Sequence, residues 1–311
     1  MRSLSLLSAL GLPALLAAQR PAIPDSDRVH LAEGFRIAAT VGDSVWPGWG
    51  VVPFEVLLVT ADHEFLIRPA RTPRDFEALG FDSLLGGEVW VRPRTFPPDL
   101  LATFPAFGLP PTVVIGQPEP TGKAPAEWVI SVLHEHFHQL QMGDSDYVSA
   151  AARLDLAGGD QSGMWMLNWP FPYDSAAVQL AYDTLSRELA GAVSAIGTEA
   201  FTPRVAPVPL ALANLIGTLS PAAQRYFWLQ VWQEGVSRYV ELRVAEAAGP
   251  DYAELARRLR VAIVRELTQP DLAGRRRGSF YALGAGLALV LDVTDPGWRA
   301  RYRTKKFAPL F

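Results

Sequence analysis

Short apolar runs separated by turn-forming residues characterise the first third of the chain. Residues 51–60 and 64–68 are rich in β-branched and apolar side chains, which favours strands, and Ala61-Asp62-His63 between them suits a hairpin turn. Further strands are predicted at residues 88–92 and at Thr112–Gly116, because glycine and proline residues lie on either side of them. The pattern therefore predicts an N-terminal sheet.

After the turn-rich segment at residues 118–122, apolar residues recur at helical spacing. The segment Pro125–Met142 is predicted to be a helix with a proline in its first turn. In the first third, Thr72 as N-cap followed by Pro73 predicts one short helix at residues 71–79. Helical spacing also predicts the remaining helices, at residues 146–156, 175–196, 221–248, 252–267 and 279–293.

The order of these elements predicts an α+β fold, with an N-terminal mixed β-sheet in residues 19–123 and a mainly helical half in residues 124–311. With 49% hydrophobic and 19% charged residues, the chain of 311 residues can bury a large core, and a single domain over residues 19–311 is expected. The formal charge of −4 argues against nucleic acid as a partner, because phosphate binding depends on clustered Lys and Arg. The dense basic run Arg275-Arg276-Arg277 is interpreted as a solvated loop.

Residues 1–18 have the pattern of a secretory signal peptide, with Arg2 before an apolar stretch and two alanines before the expected cleavage point. We therefore expect export to the periplasm or the extracellular space; an uncleaved segment that tethers the protein to the membrane is the alternative. The chain has no cysteine, which excludes disulfides and thiolate ligands. The apolar run at residues 280–293 is short for a membrane span, so we expect a buried helix there and no stable span after signal cleavage.

The segment His134-Glu135-His136-Phe137-His138 spells H-E-x-x-H within the predicted junction helix Pro125–Met142. Two histidines four residues apart lie one helical turn from each other and can bind one Zn²⁺, while the glutamate between them can act as a base toward water. At about 100° per residue, His134, Glu135 and His138 share one edge of the helix, and His136 lies among the apolar residues. We therefore predict His134 and His138 as zinc ligands, Glu135 as a catalytic residue and His136 as a core residue.

A catalytic zinc site normally has three protein ligands, so a third ligand must come from another segment. Glu234 is the leading candidate because of the family resemblance given in the next paragraph. Independent support is that it lies on a polar stripe of the predicted helix 221–248 and precedes Gly235, which permits close approach of another backbone. Asp144 is the alternative, since it lies where metzincin peptidases carry their third ligand. However, Gln141 occupies a position at which those peptidases need glycine.

These two segments together resemble the gluzincin metallopeptidases, the thermolysin-like group of the peptidase MA superfamily. The resemblance rests on H-E-x-x-H at residues 134–138 and on Glu234-Gly235 followed by Tyr239, with Ser237 in place of the usual alanine. It implies a zincin-like fold and an enzyme that hydrolyses peptide bonds in peptide or protein substrates. It also implies that His134, His138 and Glu234 hold a Zn²⁺ ion. It also implies an oxyanion-stabilising tyrosine or histidine, for which we choose Tyr281 as the second catalytic residue.

Three further features carry alternatives. Arg238 is one helical turn beyond Glu234 and either orients that carboxylate or forms an ion pair with Glu241. The aromatic segment at residues 164–173 either covers the substrate cleft or is a packed connector. Strand Thr112–Gly116 precedes the zinc helix, where related peptidases use an edge strand to pair with extended substrate.

The sequence thus predicts an exported zinc metallopeptidase in which Glu135 takes a proton from the attacking water. Two alternatives remain at this point. One is a zinc hydrolase that cleaves a non-peptide amide or an ester, and the other is a non-catalytic exported protein whose metal site is structural or degenerate.

Overall fold

The computed structural model of the protein describes residues 20–310 and has an N-terminal sheet of six strands. The strands are β1 (Val56–Val59), β2 (His63–Ile67), β3 (Glu77–Asp82), β4 (Gly87–Pro93), β5 (Leu101–Phe104) and β6 (Thr112–Gly116). Their order in the sheet is β3-β4-β2-β1-β6-β5, with β1 and β6 parallel and the other neighbours antiparallel. The predicted mixed sheet is therefore confirmed.

The position of β6 in the sheet contradicts its predicted role as an edge strand. Every residue of β6 is buried, and the strand lies between β1 and β5. Buried on both faces and paired on both sides, β6 has its backbone groups committed to its neighbours. The free edge next to it belongs to β5, which the sequence did not predict as a strand.

The helix predicted at residues 71–79 is wrong, because residues 77–82 form β3 and pair antiparallel with β4. Asp75 has a positive φ of 62°, which a helix does not accommodate. The N-cap signal of Thr72 and Pro73 is local and short, and pairing with β4 outweighs it.

The helical half is confirmed, although the helix predicted at residues 146–156 already ends at Ala152, and residues 201–205 and 208–218 form helices that the sequence did not predict. The helices are α1 (Asp25–Val45), α2 (Pro125–Met142), α3 (Tyr147–Ala152), α4 (Trp165–Asn168), α5 (Ala176–Ala195), α6 (Phe201–Val205), α7 (Val208–Thr218), α8 (Pro221–Gln230), α9 (Val236–Ala247), α10 (Ala253–Thr268), α11 (Leu272–Arg275), α12 (Ser279–Thr294) and α13 (Trp298–Tyr302). A π-helical segment, Val231–Gly235, joins α8 to α9, and short 3-10 turns lie at Pro250–Tyr252 and Arg276–Gly278. The predicted helix 221–248 is thus one continuous rod with a wider turn in its middle.

Helix α1 lies in the part of the chain that was expected to be mainly β. Its buried residues include Leu31, Phe35 and Ala38, which recur at helical spacing. The helix packs against α2, and Gly34 faces the side chains of Val129 and Val132 at this contact. The sheet and α1 together therefore support α2 from one side.

The π-helical segment and α12 cross at two glycines, so the predicted close approach at Gly235 is confirmed. A Cβ atom on Gly235 would lie 2.5 Å from the Cα of Gly284, and the reverse distance is the same. Such a distance excludes any side chain at either position. This crossing fixes where the π-helical segment lies above α2.

Helix α12 is almost entirely buried, as predicted for the apolar run at residues 280–293. Within residues 20–310, the structure contains no helix with the length and apolar character needed to span a membrane. The predicted signal peptide at residues 1–18 lies outside the described part of the chain.

Candidate metal centre

Helix α2 places the H-E-x-x-H motif inside the protein. The helix begins at Pro125, the carboxylate of Glu127 accepts a hydrogen bond from the Ala124 N–H at 3.4 Å, and the helix ends before Gly143. All residues from 132 to 141 are buried, including His134, Glu135 and His138. The two Nε2 atoms of His134 and His138 are 3.0 Å apart, as expected for residues one turn apart. Together with Glu135 they form a buried His-Glu-His group that could hold a metal ion, with ligand atoms within 4.8 Å of one another.

The π-helical segment brings Glu234 to the same place. Its Oε2 atom lies 3.6 Å from Nε2 of His138 and 3.8 Å from Nε2 of His134. π-helical turns are rare and frequently occur at functional sites, because the wider turn redirects side chains. The structure thus brings together the three residues that were predicted as zinc ligands.

These three side chains fit a zinc ion. A triangle with sides of 3.0, 3.6 and 3.8 Å has a centre that is about 2.0 Å from each corner, and zinc binds His nitrogen and carboxylate oxygen at about 2.0–2.2 Å. Burial alone would raise the pKa of Glu234, but the two histidines and Arg277 lower it well below its usual value. The carboxylate is therefore ionised next to two imidazoles, which is a donor set that attracts a divalent cation.

The outward-facing ring nitrogens of both histidines have polar partners, and the sequence analysis identified neither contact. Nδ1 of His134 lies 2.8 Å from Oε1 of Glu241, on α9, at an ion-pair distance but without hydrogen-bond geometry. Nδ1 of His138 lies 2.5 Å from Oε1 of Gln141, whose amide group donates to the Gln233 carbonyl at 3.0 Å. A hydrogen-bond partner such as Gln141 fixes the orientation of an imidazole and leaves Nε2 free to bind a metal, whereas Glu241 supplies a negative charge beside the His134 ring. The signal for Glu241 was its place on the same polar stripe as Glu234.

Arg238 contacts Glu241, so of the two alternatives the ion pair is the one observed. Although burial raises the pKa of Glu241, Arg238 and His134 lower it to about 2. Glu241 is therefore charged where it meets the His134 ring. Arg238 acts on the site through Glu241 and not by orienting Glu234.

Edge strand β5 holds the carboxylate of Glu135. The hydroxyl of Thr103 lies 2.9 Å from Oε2 of Glu135 and 2.8 Å from its backbone carbonyl oxygen. The Thr103 hydroxyl has one hydrogen, which it can donate to either of these two oxygens, and it holds the Glu135 carboxylate close to its own helix. The motif glutamate therefore lies between the two histidines and the sheet edge, and Thr103 is a further residue that the sequence did not identify.

Tyr281 on α12 lies over His134, with parallel rings whose centres are 6.4 Å apart. Burial and the nearby carboxylate of Glu234 raise the pKa of Tyr281 well above its usual value, so its phenol is protonated at neutral pH. A protonated phenol beside the histidines can donate a hydrogen bond. The structure thus brings the second predicted catalytic residue to the same cluster.

Arg277 corrects the interpretation of the basic run as a solvated loop. Its Nη1 atom lies 3.1 Å from Oε1 of Glu234. The other carboxylate oxygen, Oε2, is the one closest to the two histidines. Arg275 and Arg276 do lie at the surface, near Glu266 and Asp174 respectively. The signal that separates Arg277 from its neighbours is its position two residues before Ser279, where the buried helix α12 begins.

Asp144 is not near the histidines, so the metzincin-like alternative is wrong. Its carboxylate contacts the side chains of Arg303 and Lys306, at 3.1 Å for Lys306. The chain reaches Asp144 after α2 has ended at Met142, and no sharp turn brings it back along the helix.

His136 has the core environment that the helical wheel predicted. Its ring stacks on Phe54 at 3.6 Å between centroids, and its Nδ1 lies 2.8 Å from Oε1 of Gln139. Burial lowers the pKa of His136 to about 3, so the ring is neutral at physiological pH.

The aromatic segment at residues 164–173 is a connector whose second half is packed in the structure, whereas Met164 and Leu167 in its first half are exposed. Phe171 and Tyr173 are buried, and Phe171 packs edge-on against Phe280 on α12. The carbonyl of Met166 accepts hydrogen bonds from Tyr226 at 3.0 Å and from Gln230 at 2.7 Å. These contacts tie the connector to α8, the helix that leads into the π-helical segment.

Comparisons with models of known protein families, with curated proteins and with solved structures find no match for this chain. The buried cluster around His134, Glu135 and His138 is therefore the feature of this chain that points to a function.

Proposed function

We propose that the protein is a zinc-dependent hydrolase of zincin-like fold that cleaves peptide bonds. The single observation that carries the proposal is the triangle of His134 Nε2, His138 Nε2 and Glu234 Oε2, with sides of 3.0, 3.6 and 3.8 Å. Glu135 lies beside this triangle and is placed to act as a base. The proposal includes export of the protein by the N-terminal segment.

The residues divide the chemistry among them. His134, His138 and Glu234 would hold Zn²⁺, which when bound supplies a Lewis acid that lowers the pKa of water toward 7 and polarises a carbonyl group. Glu135 accepts a proton from the attacking water as the new carbon–oxygen bond forms, and passes this proton to the nitrogen as the carbon–nitrogen bond breaks. Tyr281, whose phenol is protonated, donates a hydrogen bond to the oxygen that becomes negative during the attack.

The substitution Glu135→Gln tests this assignment. Because glutamine keeps the shape of the side chain but cannot accept the proton, peptide hydrolysis should fall by roughly 10²–10⁴-fold while zinc content stays at the wild-type level. The measurement is cleavage of a mixed peptide library by zinc-loaded protein, with zinc quantified by atomic absorption in the same samples.

Glu127→Gln is the matched control, because Glu127 lies on the same helix but contacts Arg258 at the surface. This variant should retain full activity. Cleavage by Glu135→Gln at the wild-type rate would contradict the role of Glu135. If the zinc-loaded wild-type protein cleaves esters or other amides but no peptide, the protein is better described as a zinc hydrolase of non-peptide substrates.

A structural metal site is the second candidate, and the burial of the ligands favours it. His138 is 4% exposed and Glu234 is 7% exposed, which leaves little room for a substrate in this conformation. Glu135 could then complete a closed shell of four protein ligands, and a closed shell does not activate water. X-ray absorption spectroscopy of the zinc-loaded protein separates the two, because three protein ligands support a hydrolase and four support a structural site.

A further inference from the structure

Arg277 has an unusual position among the charged residues of the cluster. It pairs with one oxygen of Glu234, whereas the other oxygen of Glu234 faces His134 and His138. The side chain of Arg277 is 27% exposed, compared with 10% for that of Glu234. Part of the Arg277 side chain is therefore open to solvent, although its Nη1 atom is buried against Glu234, and most of the cluster is buried.

The backbone around Arg277 is held in place by hydrogen bonds. The carboxylate of Asp271 accepts from the Gly274 N–H at 2.8 Å, and the Ser279 hydroxyl donates to the Asp271 carbonyl at 3.2 Å. The guanidinium carbon of Arg277 also lies 5.5 Å from the centre of the Tyr281 ring. A planar cation positioned in this way loses little freedom when it binds a ligand.

A bound divalent cation makes the net charge of the cluster more positive. Three carboxylates, those of Glu135, Glu234 and Glu241, face two guanidinium groups, those of Arg238 and Arg277. With both histidines neutral, as metal binding requires, these five side chains carry one net negative charge, and a bound Zn²⁺ ion would make the total one net positive charge. Arg238 remains paired with Glu241, whereas Arg277 then shares its partner with the metal. Of the two guanidinium groups, that of Arg277 would thus be the less neutralised by its carboxylate partner when a metal is bound.

We propose that Arg277 binds a carboxylate group of the substrate next to the bond that is cleaved, so that the site prefers acidic peptides. The inference rests on the proposed hydrolase function and deepens it by naming the substrate class. A guanidinium binds a carboxylate through two parallel N–H···O hydrogen bonds, and hydrogen bonds to charged groups are stronger than neutral ones. The carboxylate belongs either to the free C-terminus of the peptide or to an aspartate or glutamate side chain.

Direct binding tests the proposal without relying on turnover. The zinc-loaded Glu135→Gln protein is titrated by calorimetry with three peptides: N-acetyl-Ala-Phe with a free carboxylate, the same peptide as its C-terminal amide, and N-acetyl-Ala-Asp amide. The free acid should bind about 10–100-fold more tightly than the Phe amide, because it alone supplies a C-terminal carboxylate. Tight binding of the Asp amide instead would assign the carboxylate to a side chain and also supports the proposal.

Substitutions locate the effect at Arg277. In the same background, Arg277→Gln should reduce the preference for the carboxylate to less than about threefold. Arg277→Lys should retain part of the preference, because lysine keeps the positive charge but cannot form the two parallel hydrogen bonds of a guanidinium. Arg276→Gln is the matched control, since Arg276 lies next in sequence but pairs with Asp174 at the surface. It should leave the preference unchanged.

The outcomes separate this inference from the proposed function. A protein that binds zinc and cleaves peptides, but binds the acid and both amides equally, would overturn the role of Arg277 alone. A preference that survives Arg277→Gln would overturn it as well. A wild-type protein that binds no zinc, measured by atomic absorption, would overturn the proposed function first.

Discussion

The two faces of helix α2 carry the same residue type in opposite environments. His138 faces the π-helical segment and α9, where Glu234 lies 3.6 Å from its Nε2 and Gln141 lies 2.5 Å from its Nδ1. His136, two residues earlier, faces the sheet side, where it stacks on Phe54 and pairs with Gln139. One face is lined by carboxylates, and the other by aromatic rings and an amide.

This difference shows that the partner elements, and not the histidines themselves, decide which ring can bind a metal. Burial lowers the pKa of His136 to about 3, because its neighbours supply no negative charge. Burial also opposes the charged form of His134, but Glu234 and Glu241 outweigh this effect and raise its pKa. Carboxylates that favour a proton on His134 also favour a metal ion in the place of that proton.

The largest expected effect follows from removing a ligand on the carboxylate-lined face. His138→Ala should reduce zinc affinity by more than the roughly 10–100-fold that is typical when an outer partner of a ligand is lost. The measurement is competition with a chromophoric chelator. If His138→Ala binds zinc as tightly as the wild type, the two faces of α2 do not differ in metal binding.

Removing the histidine on the aromatic face should instead affect folding. His136→Ala removes a buried ring that stacks on Phe54 and leaves the Gln139 amide oxygen without this partner, so the free energy of unfolding should fall by about 2–4 kcal/mol. Urea denaturation measures this change, and the zinc affinity of the folded protein should stay close to that of the wild type. Loss of zinc binding by folded His136→Ala would show that the faces are not independent.

The smallest expected effect sharpens the comparison at the carboxylates. Glu241→Gln keeps a hydrogen-bond acceptor near Nδ1 of His134 but removes its charge, so zinc affinity should fall by about 10–100-fold. Glu246→Gln is the matched control on the same helix, because Glu246 pairs with Arg243 and Arg260 at the surface. Equal affinity in the two variants would mean that the charge of Glu241 does not contribute.

The sequence predicted the features that local spacing determines. The helix of residues 125–142, the shared edge of His134 and His138, and the core position of His136 all follow from residues within a few turns of one another. Glu234 could be named because its glycine neighbour and polar stripe are also local signals. The α+β order of elements was predictable from the change of hydrophobic period near residue 120.

The missed features depend on contacts between distant segments. Pairing between β3 and β4 overrides the helix signal at Thr72 and Pro73, and the role of Glu241 depends on how α9 crosses α2. Thr103 touches Glu135 because β5 is the sheet edge next to α2, a fact that no window of sequence around Thr103 contains. Arg277 likewise becomes part of the site only through the crossing of α12 over the π-helical segment.

The π-helical segment lets the two halves of one continuous helix, α8 and α9, present different faces to their neighbours. A π turn holds about one more residue than an α turn, so it rotates everything beyond it by about 100° relative to a regular helix. Before the wide turn, Tyr226 and Gln230 grip the connector at Met166; after it, Glu241 faces His134. Because of the extra residue, α8 can face the connector at Met166 while α9 turns its carboxylates toward α2. Each half thus contacts its own neighbour without a break in the helix.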